Sequence, residues 1–145
     1  MVHRKCVVAL LLLLACGGSE STPAPNINTR SDYYALMIQS ARFSQPGLIL
    51  QLISDSVTTV LDSAVLNGID DTYNTWRKLT TEGQVTGAAR TVMGAEEFGD
   101  TLVRDYGRIR FERIGMKDTT MAFSSLWRRE KTGWRLYRDS IRAER

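Results

Sequence analysis

The sequence predicts an α+β domain in which N-terminal helices pack on one face of a curved, mostly antiparallel sheet. Three observations carry this. Apolar residues recur at helical spacing between Tyr33 and Ile53 and again between Ile69 and Leu79. From Gln84 onward the pattern changes to strand-like alternation. Gly94, Gly115 and Glu130-Lys131-Thr132-Gly133 punctuate that second half as turns between long strands.

Taken in order, Ser31 or Asp32 caps a first helix through Phe43, with Tyr33, Leu36, Met37 and Phe43 on its apolar side. Pro46 opens a short second helix holding Leu48, Ile49, Leu52 and Ile53, and Ser54-Asp55-Ser56 ends it. The β-branched run Val57 to Asp62 reads as a strand. Gly68 leads into a third helix with Asp70 and Asp71 in its first turn, where the helix dipole favours acid, and Ile69, Tyr73, Trp76 and Leu79 as its stripe. Gly83 ends it. Strands then follow at Val85 to Met93, Phe98 to Arg113, Thr119 to Arg129 and Trp134 to Ile141.

Ahead of the domain, His3, Arg4 and Lys5 precede the apolar run Cys6 to Ala15, followed by Cys16-Gly17-Gly18-Ser19. This is the layout of a secretory leader, and the run is about half of the roughly 20 apolar residues needed to cross a bilayer. Residues 17–26, rich in Gly, Ser and Pro, are too polar to build a core and form a tether of about 20 Å, at about 5–6 Å times the square root of residue number. The expected organisation is a leader over 1–15, Cys16 and tether over 16–30, and a single domain over 31–145. Leaving with the leader are the sole His, His3, and one of the two Cys, Cys6. A mature chain so formed has no imidazole and, with Cys16 acylated, no free thiol. Ser-His-Asp and Cys-His catalysis, His- or Cys-ligated metal and disulfides are then excluded, and no metal or cofactor is expected. The formal charge of +3 falls by two without Arg4 and Lys5. Basic residues crowd the C-terminal part, but Asp105, Glu112, Glu130, Asp139 and Glu144 are interleaved and no aromatic stacking platform accompanies them, so nucleic acid is not an expected partner.

Three stretches carry resemblances, one in the leader and two in the domain. Leu13-Leu14-Ala15-Cys16 resembles a lipobox, with Leu14 bulkier than the residue usual there; this implies lipidation of Cys16 and anchoring of an exported domain to a bacterial membrane, on its periplasmic or outer surface. The element order, the step Leu52 to Val57 and above all the hairpin Leu126 to Asp139 resemble the nuclear transport factor 2-like, or SnoaL-like, superfamily, the hairpin being similar to that of the subgroup called domain of unknown function 4440. The resemblance implies a cone with an apolar pocket at one end and a homodimer through the sheet. It does not imply one activity, because the fold hosts isomerases, cyclases and non-catalytic binding modules alike.

Within that frame Asp62 ends the first strand, near where isomerase-like members carry a general base. In one register it faces the pocket and in the next it faces solvent. Asp105 shares a face with Val103, Gly107, Ile109 and Phe111, so alternation buries a carboxylate that needs a partner from Tyr33, Tyr34 or Arg90. Tyr34 or Tyr33 is an oxyanion donor or a packing residue. Trp76, Trp127 and Trp134 read first as packing, with Tyr33, Trp76 and Arg90 as the ligand-lining candidates. The sequence thus favours a tethered domain binding a small apolar ligand or a protein partner, with an acid–base isomerase or cyclase using Asp62 or Asp105 and a Tyr as the alternative. Metabolic labelling with a radioactive lipid precursor tests the anchor: wild type takes up label and Cys16→Ser does not, whereas a labelled variant overturns the lipoprotein reading.

Overall fold

The computed structural model describes residues 27–144. The leader, Cys16 and most of the tether lie outside the described residues. The elements are α1 (Ile27–Arg42), α2 (Gly47–Leu50), β1 (Ile53–Leu61), β2 (Ala64–Asn67), α3 (Gly68–Thr81), β3 (Val85–Phe98), β4 (Leu102–Arg113), β5 (Thr119–Glu130) and β6 (Gly133–Ala143). The strands form one six-stranded sheet in the order β2-β1-β6-β5-β4-β3. Every neighbouring pair is antiparallel except β1 with β6. The helices cover one face, as the α+β expectation required.

Several boundaries differ from the sequence reading, each for a local reason. α1 starts at Ile27, so positions 31 and 32 lie inside the helix and not at its cap. Its buried side is Tyr33, Tyr34, Met37, Ile38 and Ala41, while Phe43, past the helix end, is 60% exposed. α2 stops at Leu50 and β1 runs through Ser54-Asp55-Ser56; Ser54 is buried and donates to Glu130 Oε1 at 2.6 Å, so its polarity is satisfied within the sheet and does not break it. Asp62 takes a left-handed conformation (φ 53°) that turns β1 into the unanticipated strand β2. Gly94 is a bulge and not a turn: β3 continues through it, with a register shift between Val92 and Gly94.

Register organises the inward face of the sheet into rows. Val103, Trp127, Leu136 and Ile53 align across β4, β5, β6 and β1 as one apolar row. Gly107, Phe123, Ile141 and Leu61 form a second. Between them lies a polar row: Asp105, Ser125, Asp139 and Thr59. Thr72 of α3 meets its end, donating to Thr59 Oγ1 at 3.3 Å. Aromatic rings of α1 and α3 close over the rows, Tyr33 edge-on to Trp127 at 5.9 Å and Tyr34 against Phe123 at 6.0 Å.

At Gly107 the β3 backbone lies tight against β4. A Cβ there would collide with the Thr91 backbone carbonyl at the β3 bulge, and a strand backbone cannot move aside as a flexible side chain can. At Gly87, by contrast, the atom met is the end of the Glu112 side chain. Gly107→Ala is therefore expected to lower stability by about 1–3 kcal/mol in urea unfolding, and Gly87→Ala by clearly less. Equal effects would contradict this packing.

Candidate functional site

The polar row builds a closed network. Asp105, Ser125 and Asp139 are each 0% exposed. Arg90 on β3 pairs in register with Ile109, and its guanidinium lies 3.9 Å above the ring of Phe123, the residue opposite Gly107. From there Arg90 Nη2 donates to Asp105 Oδ1 at 3.0 Å and to Ser125 Oγ at 2.9 Å. Ser125 passes its own proton to Asp139 Oδ1 at 2.7 Å, and Tyr34 donates to the same carboxyl at 2.7 Å. The Trp127 indole N–H completes the set, donating to Asp105 Oδ1 at 3.1 Å.

This cluster holds two carboxyl groups and one guanidinium. Burial pushes the Asp139 carboxyl above the ordinary range; the hydrogen bonds from Tyr34 and Ser125 and the charge of Arg90 pull it back, and the neighbouring Asp105 adds to the rise. Burial, then the charge of Asp139, also raises the Tyr34 hydroxyl well above its usual value, which keeps it a proton donor. Asp105 accepts from both Arg90 and the Trp127 indole on one oxygen. Breaking such a buried pair by removing one partner costs about 3–5 kcal/mol.

An apolar cleft of about 210 Å³ opens at the end of the cone where the C-terminal end of α3 meets the end of β4. Leu61, Trp76, Leu79, Val85, Phe111 and Met121 supply its apolar wall. Trp76 is 2% exposed, lines the cleft, and packs its ring 5.9 Å from Tyr34 and 5.8 Å from Phe111. It is thus the partition between the cleft and the polar network.

The sequence candidates separate accordingly. Arg90 is the partner of Asp105, one of the three proposed from sequence. Tyr34 reaches Asp139 and Ser125 rather than Asp105. Tyr33 is wholly buried and its hydroxyl makes no hydrogen bond with another described residue. Asp62 is exposed on the cleft rim; its N–H donates to Ile141 O at 2.8 Å and its Oδ1 accepts the Ala143 N–H at 3.0 Å, so it pins the end of β6. Of the ligand-lining candidates, Trp76 lines the cleft while Tyr33 and Arg90 lie behind it. Sequence reasoning missed Ser125 and Asp139. Ser125 was accessible from its alternation with Phe123 and Trp127. Asp139 was not: a register shift after Leu126 changes the phase of β6 between Leu136 and Arg138, and simple alternation from Leu136 would turn Asp139 outward.

The raised Asp139 fixes the sign of a pH effect. Above its ordinary value near 3.8, the folded chain retains a proton that the unfolded chain has lost, so stability falls as pH rises through the folded value. Glu130, lowered first by its Ser54 and Arg128 hydrogen bonds, acts oppositely and at lower pH. The stability of wild type minus that of Asp139→Asn, from urea unfolding between about pH 3 and 9, a difference in which the Glu130 contribution cancels, is expected to decline with pH. A difference that is flat or rises over that span contradicts the assignment.

With this geometry in view, comparison with known proteins is informative about fold. No family model matches the chain. Among curated proteins, 87 residues are 28% identical to hispidin synthase of Neonothopanus nambi, a match covering 60% of this chain and only 5% of that protein. Solved structures match much more of it. An NTF2-like protein of unknown function from Shewanella oneidensis superposes with TM-score 0.62 at 13% identity, covering 77% of this chain and 93% of its own. An NTF2-like superfamily protein from Salmonella enterica gives 0.61 at 15%, covering 81% and 90%. A putative calcium/calmodulin-dependent protein kinase type II association domain from Thiobacillus denitrificans gives 0.64 at 18%, covering 86% and 98%. The helices over a six-stranded sheet, the parallel β1–β6 join and these superpositions agree that the chain has the nuclear transport factor 2-like fold.

Proposed function

We propose that this is a non-catalytic binding domain for a small apolar ligand, held at a bacterial membrane outside the cytoplasm by a lipid on Cys16. The observation that carries the binding half is the cleft: an apolar wall about 210 Å³ in extent, with Trp76 closing it from the charged interior. It is larger than the roughly 150 Å³ that admits benzene in an engineered apolar cavity, so a single ring or a short alkyl chain is the size of ligand it suits. The anchoring half rests on the leader and Cys16. Placement in the subgroup called domain of unknown function 4440 rests on the β5–β6 hairpin sequence alone, and a homodimer through the sheet on the same resemblance.

The acid–base alternative is less well supported. A general base must reach substrate, but Asp105 is occupied by Arg90 and Trp127 behind Trp76, and Asp139 by Tyr34 and Ser125. Asp62 sits at the rim in water with one oxygen engaged by β6, far in character from the desolvated setting that tunes a catalytic carboxyl.

A shortened chain beginning at Asn26 provides the test, with toluene as an uncharged probe. Binding to the folded state alone stabilises by RT ln(1 + [L]/Kd), about 1 kcal/mol once toluene stands several-fold above Kd. Thermal unfolding is expected to show that gain in wild type and in Asp105→Asn, and to lose it in Leu79→Trp, whose side chain fills the cleft. No stabilisation of wild type, or one that persists in Leu79→Trp, removes the reading.

A further inference from the structure

We propose that the cleft takes an apolar monocarboxylate, with Arg113 receiving the carboxylate; this rests on the binding reading above and names the class of ligand. The inward face of β4 runs Val103, Asp105, Gly107, Ile109, Phe111 and ends at Arg113, which pairs in register with Val85. Strand alternation therefore delivers one cation to the rim of an otherwise apolar wall. Arg113 is half-buried, and its Nε donates to the Gly83 carbonyl at 3.1 Å, just beyond α3. That bond fixes the plane of the guanidinium.

The two Nη groups of Arg113 make no ion pair or hydrogen bond with another described residue. The contrast with its neighbours is informative. Arg104 has Glu96, Arg108 has Glu144, and Arg128 and Arg135 share Glu130. At Arg113 the fork of donors lies at the cleft margin. A guanidinium held by Nε offers its remaining donors to a planar carboxylate in a forked geometry, and partial exclusion of water strengthens such charge-assisted bonds.

The rest of the cleft limits the partner. A ring or short alkyl body covers Trp76, Leu79, Phe111 and Met121 while its carboxylate meets Arg113. Asp62 lines the cleft as well, exposed and anchored through Oδ1 to Ala143. Its negative charge faces the same cleft and opposes any carboxylate not neutralised by Arg113, which favours monocarboxylates over dicarboxylates.

Isothermal titration of the full purified chain with benzoate and with benzyl alcohol, its uncharged counterpart, decides the matter. Wild type is expected to prefer benzoate by roughly tenfold. Arg113→Gln reduces benzoate affinity to the level of benzyl alcohol, and Arg113→Lys, which keeps the charge without the fork, retains part of the preference. Should Arg113→Gln fail to fold, ionic strength serves on wild type: added salt weakens benzoate and leaves benzyl alcohol unaffected. Benzoate binding no tighter than benzyl alcohol, or a preference that survives Arg113→Gln or is insensitive to salt, overturns the carboxylate assignment while the apolar-ligand reading stands. If neither probe binds, both fall together.

Discussion

The architecture depends on the desolvated contact between Arg90 and the row of Asp105, Ser125 and Asp139. A carboxylate removed from water without compensation costs far more than a small domain's whole stability margin. Here one guanidinium serves two acids, Asp105 directly and Asp139 through the Ser125 hydroxyl. Tyr34 donates to Asp139 and the Trp127 indole to Asp105. The members come from five elements: Tyr34 from α1, Arg90 from β3, Asp105 from β4, Ser125 and Trp127 from β5, Asp139 from β6. The network forms only when the sheet has its native register and α1 has docked, so it specifies one arrangement of parts that apolar packing alone would leave more permissive.

Other features of the chain follow from accommodating that network. Gly107 lets the β3 backbone lie close against β4, and Arg90 of β3 reaches Asp105 of β4. The bulge near Gly94 bends β3, and the register shift in β6 turns Asp139 to the side where Ser125 waits. Aromatic rings then seal it, with Trp76 last in line. The apolar cleft lies outside that seal, at the end of the cone. Interior charge and exterior cleft are thus parts of one arrangement: the first fills the cone with structural polarity, and the second offers the apolar surface on which a small ligand can rest.

Much of this was legible in the sequence, in a pattern that physics explains. Long alternating strands and amphipathic α3 were readable because one face of each is buried throughout, and the burial of Asp105 followed from the same alternation. The short hairpin strand β2 was not, since Val65 is 59% exposed and the strand has no buried face to leave a signature. Neither was the start of α1, because the capping signal at Ser31 and Asp32 competes with a helix already begun at Ile27. Asp62 shows the limit of register arguments: a left-handed turn at that residue makes it a strap for β6, which spacing alone does not reveal. Asp139 was hidden by an irregularity, and bulges leave no dependable mark in a single sequence. Arg113 was overlooked for a different reason, being one of many C-terminal arginines whose partners only the fold identifies.

The central claim is that the carboxyl groups of the interior belong to a sealed structural core and do not meet solvent or substrate in the native state. Hydrogen exchange at the Trp127 indole N–H, followed by NMR, tests it most directly, because that N–H donates to Asp105 Oδ1. The account predicts exchange at the rate set by global unfolding, with a free energy of opening equal to that from urea denaturation. Exchange orders of magnitude faster, with the fold intact, would show that water reaches Asp105 and would contradict it.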